Sequence, residues 1–304
     1  MTRKKSIWKN VDPWLYLMIL PGFLVVLIYS YIPLFGWAIA FQRYNPALGM
    51  FGSEFIGLQN FRMLFANPAF TRVIYNTVYI ASWKIALNFI VPIIVAILLN
   101  EILKENYKKF LQTALYLPHF ISWVILGGLF VSILHPNPND GVVNQMLGWI
   151  NVGPINFLGD ASIFPYTAIW TDVWRNFGFG TIIYMAALSG IDPSLYEAAG
   201  IDGAGRFRRI WHITLPGIRP VMVLTGTLAL GQVLNAGMDQ ILNLYSPAVY
   251  STGDILDTFI FRRGLEDAQF AMATAAGIFR SGISLAMVSI TYFCAYKFFK
   301  YKIF

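Results

Sequence analysis

The chain has 304 residues, 57% of them hydrophobic and 12% charged, with a net charge of +7 and a mean hydropathy of +0.58. A soluble domain carries roughly 25% charged residues, so this chain has too few to cover a water-facing surface of its size. Low charge, unpatterned glycine and the single Cys294 exclude disordered, collagenous and disulfide-stapled classes and leave a polytopic membrane protein.

A spanning helix needs about 20 mostly apolar residues. Residues 1–13 read as a cytoplasmic tail carrying Arg3, Lys4, Lys5 and Lys9. The first predicted span covers 14–41 and is interrupted by Pro21 and Pro33. Its start resembles a signal peptide, with Met1 to Lys5 as a basic region and Ala38-Ile39-Ala40 as a cleavage site. The apolar stretch is, however, far longer than the ~7–15 residues of a signal core. Further spans are predicted over 73–100, 113–134, 162–188, 217–238 and 271–299. The expectation is one all-α transmembrane domain over 14–304 with six spans.

Lysine and arginine favour the cytoplasmic side. The amino-terminal tail, the connection with Lys104, Lys108 and Lys109, the connection with Arg206, Arg208, Arg209 and Arg219, and the end with Lys297, Lys300 and Lys302 hold fourteen cations. The other three connections hold only Arg43, Arg62, Arg72, Arg262 and Arg263. Both termini are therefore expected in the cytoplasm, and an even number of spans agrees by requiring that they share a side.

Several chemistries lack their motifs. No Gly-Lys dipeptide exists, so no phosphate-binding loop is present. Gly203-Ala204-Gly205 begins a dinucleotide pattern, but Arg208 stands where its third glycine is needed. His119, His135 and His212 lie far apart and lack metal-ligand spacing, so no metal site is expected. The chain is not expected to be an enzyme, and nucleic acid is not an expected partner.

The cytoplasmic loop over 189–217 carries the most information. Asp192-Pro193 reads as a helix start, with Ser194 and Glu197 spaced as a capping box. Gly200 is a plausible stop. Asp202 is placed to cap a second short helix that runs to a break at Leu215-Pro216. Small residues around Ala198-Ala199-Gly200 and Gly203-Ala204-Gly205 allow a deep fit in a partner's groove, and the nearby arginines add cationic reach. Basic helices of this kind also lie on anionic membrane surfaces.

This loop resembles the EAA motif of permease subunits in binding-protein-dependent ABC importers. Glu197-Ala198-Ala199, Gly203, Ile213 and Leu215-Pro216 fit its spacing throughout. The segments Tyr116-Leu117-Pro118-His119, Asp239-Gln240-Ile241, Tyr245-Ser246-Pro247 and Asp257-Thr258 are similar to the branch moving oligosaccharides or polysaccharide fragments, the maltose-transporter-like permeases. The resemblance implies a type I importer core in a bacterial cytoplasmic membrane. It implies a second permease, giving a heterodimer, two copies of a cytoplasmic ATPase and an extracytoplasmic solute-binding protein. It implies no cofactor on this chain, with ATP and Mg held by the ATPase. Coupling to that ATPase falls on Tyr196, Glu197, Ala198, Ala199, Asp202, Gly203, Ala204, Arg206, Leu215 and Pro216. The alternatives are an ABC permease for another solute, a self-contained secondary transporter, or a membrane enzyme.

Ionisable residues at membrane depth are functional candidates. Lys84, Asp172, Arg175 and Arg280 are of this kind, with Asp239 at an outer end. Asp172 and Arg175 share a helix face and are spaced to pair. Otherwise they line the solute path, where Arg175 and Arg280 suit a carboxylated sugar. Trp174 and Tyr184 are candidates for stacking on sugar rings, and Asn235 and Gln240 are further polar candidates.

Overall fold

The computed structural model describes residues 13–299. The amino-terminal cations and Lys300 and Lys302 lie outside the described residues. The chain divides into two compact units, one running to Ala66 and including Arg263–Ile278, the other holding Asn67–Arg262 and the chain from Phe279 onward.

In the first unit, α1 (Pro13–Val26) continues through a widened turn, Leu27–Tyr31, and a tight helix, Ile32–Phe41. Together they form the expected first span, Trp14–Phe41, whose side chains are almost all exposed. A two-stranded antiparallel hairpin follows, with β1 (Gln42–Arg43) against β2 (Glu54–Phe55) around the short α2 (Gly49–Gly52). α3 (Gln59–Ala66) is anchored by Asn60, whose amide donates to the Ala40 and Gln42 carbonyls at 2.8 and 2.9 Å.

The second unit is built on α4 (Pro68–Asn100) and α8 (Phe164–Ser189), which pack along their length. α4 begins earlier than expected because Asn67 accepts from the Ala69 N–H and Pro68 takes the first helical position. Ile80, Ala81, Phe164, Ala168, Ile169 and Val173 form the centre of its core. At one end, the Asn76 amide donates to the Ser251 and Asp254 carbonyls, and the Leu256 N–H donates to Thr77 Oγ1 at 2.8 Å. These bonds tie α4 to the connection holding α13 (Tyr250–Gly253) and α14 (Leu256–Phe261). Arg262 forms a fork with the Asp254 carboxylate and lies 4.1 Å over the Tyr250 ring.

Two predicted spans are corrected. The stretch over 113–134 is not one straight helix. α5 (Glu105–Tyr116) passes into a tight turn, Leu117–Phe120, and α6 (Trp123–Ile133) leaves at 102°. Pro118 lacks an N–H, and Ser122 in extended conformation starts α6 afresh, its Oγ accepting from the Ile125 N–H. α7 (Val142–Trp149) then leads towards α8.

The second correction concerns 217–238. No break occurs at Leu215-Pro216. α10 (Arg206–Arg209) runs through a widened turn, Ile210–Thr214, into α11 (Leu215–Leu230). Proline removes one helical hydrogen bond and crowds the preceding turn, and the local widening accommodates both effects. The helix ends instead at Leu230. Residues 231–237 are unwound before α12 (Met238–Leu244) begins.

α15 (Phe270–Phe299) closes the described chain. Among the described residues, four helices are long and apolar enough to cross a membrane, or five if the bent α5–α6 pair counts as one. α8 has the length, with 26 residues, but carries Asp172 and Arg175.

Candidate functional site: a coupling loop and a polar pocket

The loop over 189–217 folds as a preformed knob. Asp192 caps α9 (Pro193–Ile201), accepting from the Ser194 N–H at 2.9 Å. The cap is thus Asp192 and not Ser194, because proline at the first helical position forces the residue before it into extended backbone. That bond holds the Asp192 carboxyl below the usual carboxylate range.

The helix does not stop at Gly200. It ends at Asp202, which closes α9 rather than opening the next helix. The Gly203 N–H reaches the Gly200 carbonyl at 3.1 Å and the Ala204 N–H reaches Ala199 at 2.8 Å. This is a Schellman termination, and Gly203 sits at its left-handed position with φ +70°. The motif glycine is therefore required by the backbone. Nothing lies within 4 Å of where a Cβ would stand there.

Tyr196 ties α9 to the following helix, its hydroxyl 3.0 Å from Thr214 Oγ1. Glu197, Ala198, Asp202 and Arg206 are exposed, with Arg206 Nε 4.0 Å from Glu101. Ala199, Ala204 and Leu215 are half-buried and Pro216 is exposed. Ile201, Phe207 and Trp211 are 88%, 90% and 70% exposed. Composition drew attention to the small residues of this loop, but these large apolar ones stand furthest out. The apolar residue after the motif alanines, flanking a charged turn, was the available signal.

The second place is a polar pocket of about 360 Å³ in the second unit, lined by Lys84 and Asn88 from α4, Asp172 and Tyr184 from α8, Thr225 from α11, and Gln232, Asn235 and Gly237 from the unwound segment. Lys84 is 5% exposed. Its ammonium donates to the Ala236 carbonyl at 2.6 Å and to Gln240 Oε1, with Asp172 3.7 Å away. Asn88 donates to Asp172 at 2.9 Å, leaving its own Oδ1 without a partner among the described residues. Gln240, fully buried, donates to the Ala168 carbonyl at 2.6 Å and to Thr171 Oγ1 at 2.7 Å.

The structure thus gathers Asp172, Tyr184 and Asn235 at one pocket, with Gln240 bracing it from behind. Tyr184 is buried with its hydroxyl on Thr225 Oγ1, not presented for stacking. Asp172 pairs with Lys84 rather than with Arg175. Arg175 points the other way, donating to the His119 and Ile121 carbonyls at 3.0 and 3.2 Å and lying 5.1 Å from the Trp123 ring. Those carbonyls are freed where Pro118 and Ser122 break the helix. Trp174 packs edge-on against Phe130, and Arg280 is bound to Asp257 at 3.0 Å, so neither lines the pocket. Asp239 is exposed at the start of α12. Asn88, Thr225 and Gln232 were missed. Asn88 lies four residues after Lys84 on α4, so that pair repeats a polar residue along one helical face, whereas Gln232 lies in the unwound segment, where helical spacing gives no signal.

The family described as binding-protein-dependent transport system inner membrane component matches residues 88–295. The chain belongs to that family. The match takes in the whole loop over 189–217 and most of the pocket. This permease is 40% identical to the polygalacturonan/rhamnogalacturonan transport system permease protein YteP of Bacillus subtilis (strain 168), over 97% of this chain and 92% of that one. It is 39% identical to protein LplB of the same organism, over 94% and 90%. A crystal structure of a bacterial ABC transporter involved in import of the acidic polysaccharide alginate superposes with a TM-score of 0.87, at 38% identity over 97% of this chain and 99% of that one. The alginate transporter in complex with its pentasaccharide-bound periplasmic protein gives 0.88, at 37% identity over 98% and 100%.

Proposed function

We propose that this permease forms the translocation path for an oligosaccharide or polysaccharide fragment in an ATP-driven importer. It crosses the membrane six times, with α8 and the bent α5–α6 pair as two of the spans and both termini cytoplasmic. A second, related permease completes the path. An external binding protein delivers the solute. Two copies of an ATPase hold ATP and Mg, and one of them docks on the knob of this chain, with Ile201, Phe207 and Trp211 as the apolar contacts and Glu197, Asp202 and Arg206 around them.

The observation that carries this reading is the knob itself. A two-helix cytoplasmic projection with its apolar side chains turned outward has a surface that a protein partner covers. It is continuous with α11, which ends at the polar pocket. The pocket suits a sugar, because amide and hydroxyl groups of Asn88, Thr225, Gln232 and Asn235 share its wall with the apolar Ile85, Phe89 and Ala229, and its cation, Lys84, is balanced by Asp172. Inverting a 1:99 population of outward and inward states takes about 5.5 kcal/mol, which ATP-driven closure of the ATPases supplies through the knob.

The test is mild solubilisation of the tagged permease from its native membrane and identification of what co-purifies. An ATPase and a second permease are expected, with ATP-dependent uptake of galacturonan or alginate oligosaccharides by the reconstituted complex. A permease recovered alone, with uptake indifferent to ATP depletion, contradicts the reading and favours a self-contained carrier.

A further inference from the structure

One wall of the polar pocket is not helical. Residues 231–237 run unwound between α11 and α12. Backbone groups at membrane depth must find partners inside the protein. Lys84 supplies one, donating to the Ala236 carbonyl at 2.6 Å and reaching Gln240 at the start of α12. Gly237, at φ +88°, lets the backbone come so close that an added Cβ would stand 3.0 Å from the ammonium. Leu234 and Ala236 turn into the protein and are 4% and 0% exposed, while Gln232 and Asn235 face the pocket. The same segment is the far end of a rod, because the helix from Arg206 to Leu230 is unbroken over 25 residues. At 1.5 Å per residue the rod spans roughly 37 Å from the coupling knob to the pocket.

We propose that Lys84 is a positioning residue for translocation: its ammonium latches the unwound segment 231–237 against α4 and releases it when the α10–α11 rod is displaced at the knob. Lysine suits a latch. A point charge on a flexible stem can give up the Ala236 carbonyl while keeping Asp172. The proposal rests on the reading of the pocket as part of the solute path. A purely structural role, in which Lys84 only neutralises Asp172, is separable from it. Lys84→Met together with Asp172→Asn removes the charge pair evenly and removes the latch.

The test uses the complete transporter in native membrane vesicles, with Cys294→Ser and Leu234→Cys as a buried reporter. The rate of labelling by a small water-soluble maleimide is measured at rest and with ATP plus vanadate. The parent is expected to label slowly at rest and faster with nucleotide. The double variant is expected to label at one rate in both conditions, about tenfold above the resting parent, as loss of one hydrogen bond to a charged group implies. Lys84→Arg should restore the slow resting rate. Lys84→Leu together with Asp172→Asn, a second charge-balanced pair, should also raise the resting rate, so it carries the test if the first double variant fails to insert. A nucleotide-sensitive parent whose variants label like it overturns the latch and leaves the pocket on the path. A parent indifferent to nucleotide overturns both.

Discussion

The knob over 189–217 and the polar pocket are opposite solutions within one permease. The knob is local. Its cap, its glycine and its exposed side chains all lie within about twenty-five residues, and backbone rules shape it. The pocket is assembled from residues as far apart as Lys84 and Gln240, and Lys84, Asn88 and Gln240 each bond a partner from another element. The knob leaves large apolar side chains exposed. The pocket keeps charge away from water, and balances it internally. Damage should therefore differ in kind: at the pocket it reaches stability, at the knob it reaches coupling.

The largest expected effect is at the pocket. Lys84→Met alone leaves the Asp172 carboxylate uncompensated and should cost about 3–5 kcal/mol, as breaking a buried pair from one side does. Thermal unfolding in detergent should show it, and adding Asp172→Asn should recover most of the loss. If the single variant is as stable as the parent, the pocket is wetter than its burial implies.

Gly203→Trp comes next. The left-handed position should cost about 1–2 kcal/mol for any residue with a Cβ. Among the described residues nothing lies within 4 Å of an added Cβ and Gly203 is exposed, so insertion should be intact while ATP-driven uptake is lost. Wild-type uptake in this variant would remove the coupling role of the knob. Phe207→Ala should change the stability of the isolated permease by less than about 0.5 kcal/mol, because the ring is exposed. It should nevertheless reduce ATPase recovery on co-purification. Equal recovery would place the docking contact elsewhere.

The smallest effect is the pH response of the Asp192 cap. Its pKa is lowered on folding, by the backbone and side chain of Ser194. The cap therefore contributes fully above the ordinary aspartate range and fades as pH falls through the depressed value. Hydrogen exchange at Ser194 should accelerate only in acid relative to neighbouring loops, and the Asp192→Asn variant should lose that dependence.

Most of the knob was legible in advance because its determinants are contiguous. Pro193 marked the helix start, but the end was expected at Gly200 rather than at Asp202 and Gly203, and capping by Ser194 and Asp202 was misassigned. Both capping errors came from counting side-chain oxygens without the backbone state that proline and glycine impose. The pocket was legible only as a set of suspects. Asp172 and Arg175 lie three apart and looked like a pair. The break at Pro118 and Ser122 offered Arg175 two carbonyls, and α4 offered Asp172 the ammonium of Lys84.

Composition and the distribution of apolar runs determined that this protein belongs in a membrane, because so few charges cannot cover a water-facing surface. The spacing from Glu197 to Pro216 determined the position of the two-helix loop proposed for coupling, because its constraints act between neighbours along the chain. Tertiary structure alone decided where helices bend and end. Pro216 passes inside a continuous helix because one turn widens, while residues 231–237 unwind where Lys84 accepts the load of a freed carbonyl. Proline and glycine mark where a helix can break. Whether it does depends on which partners the rest of the fold brings to the exposed backbone.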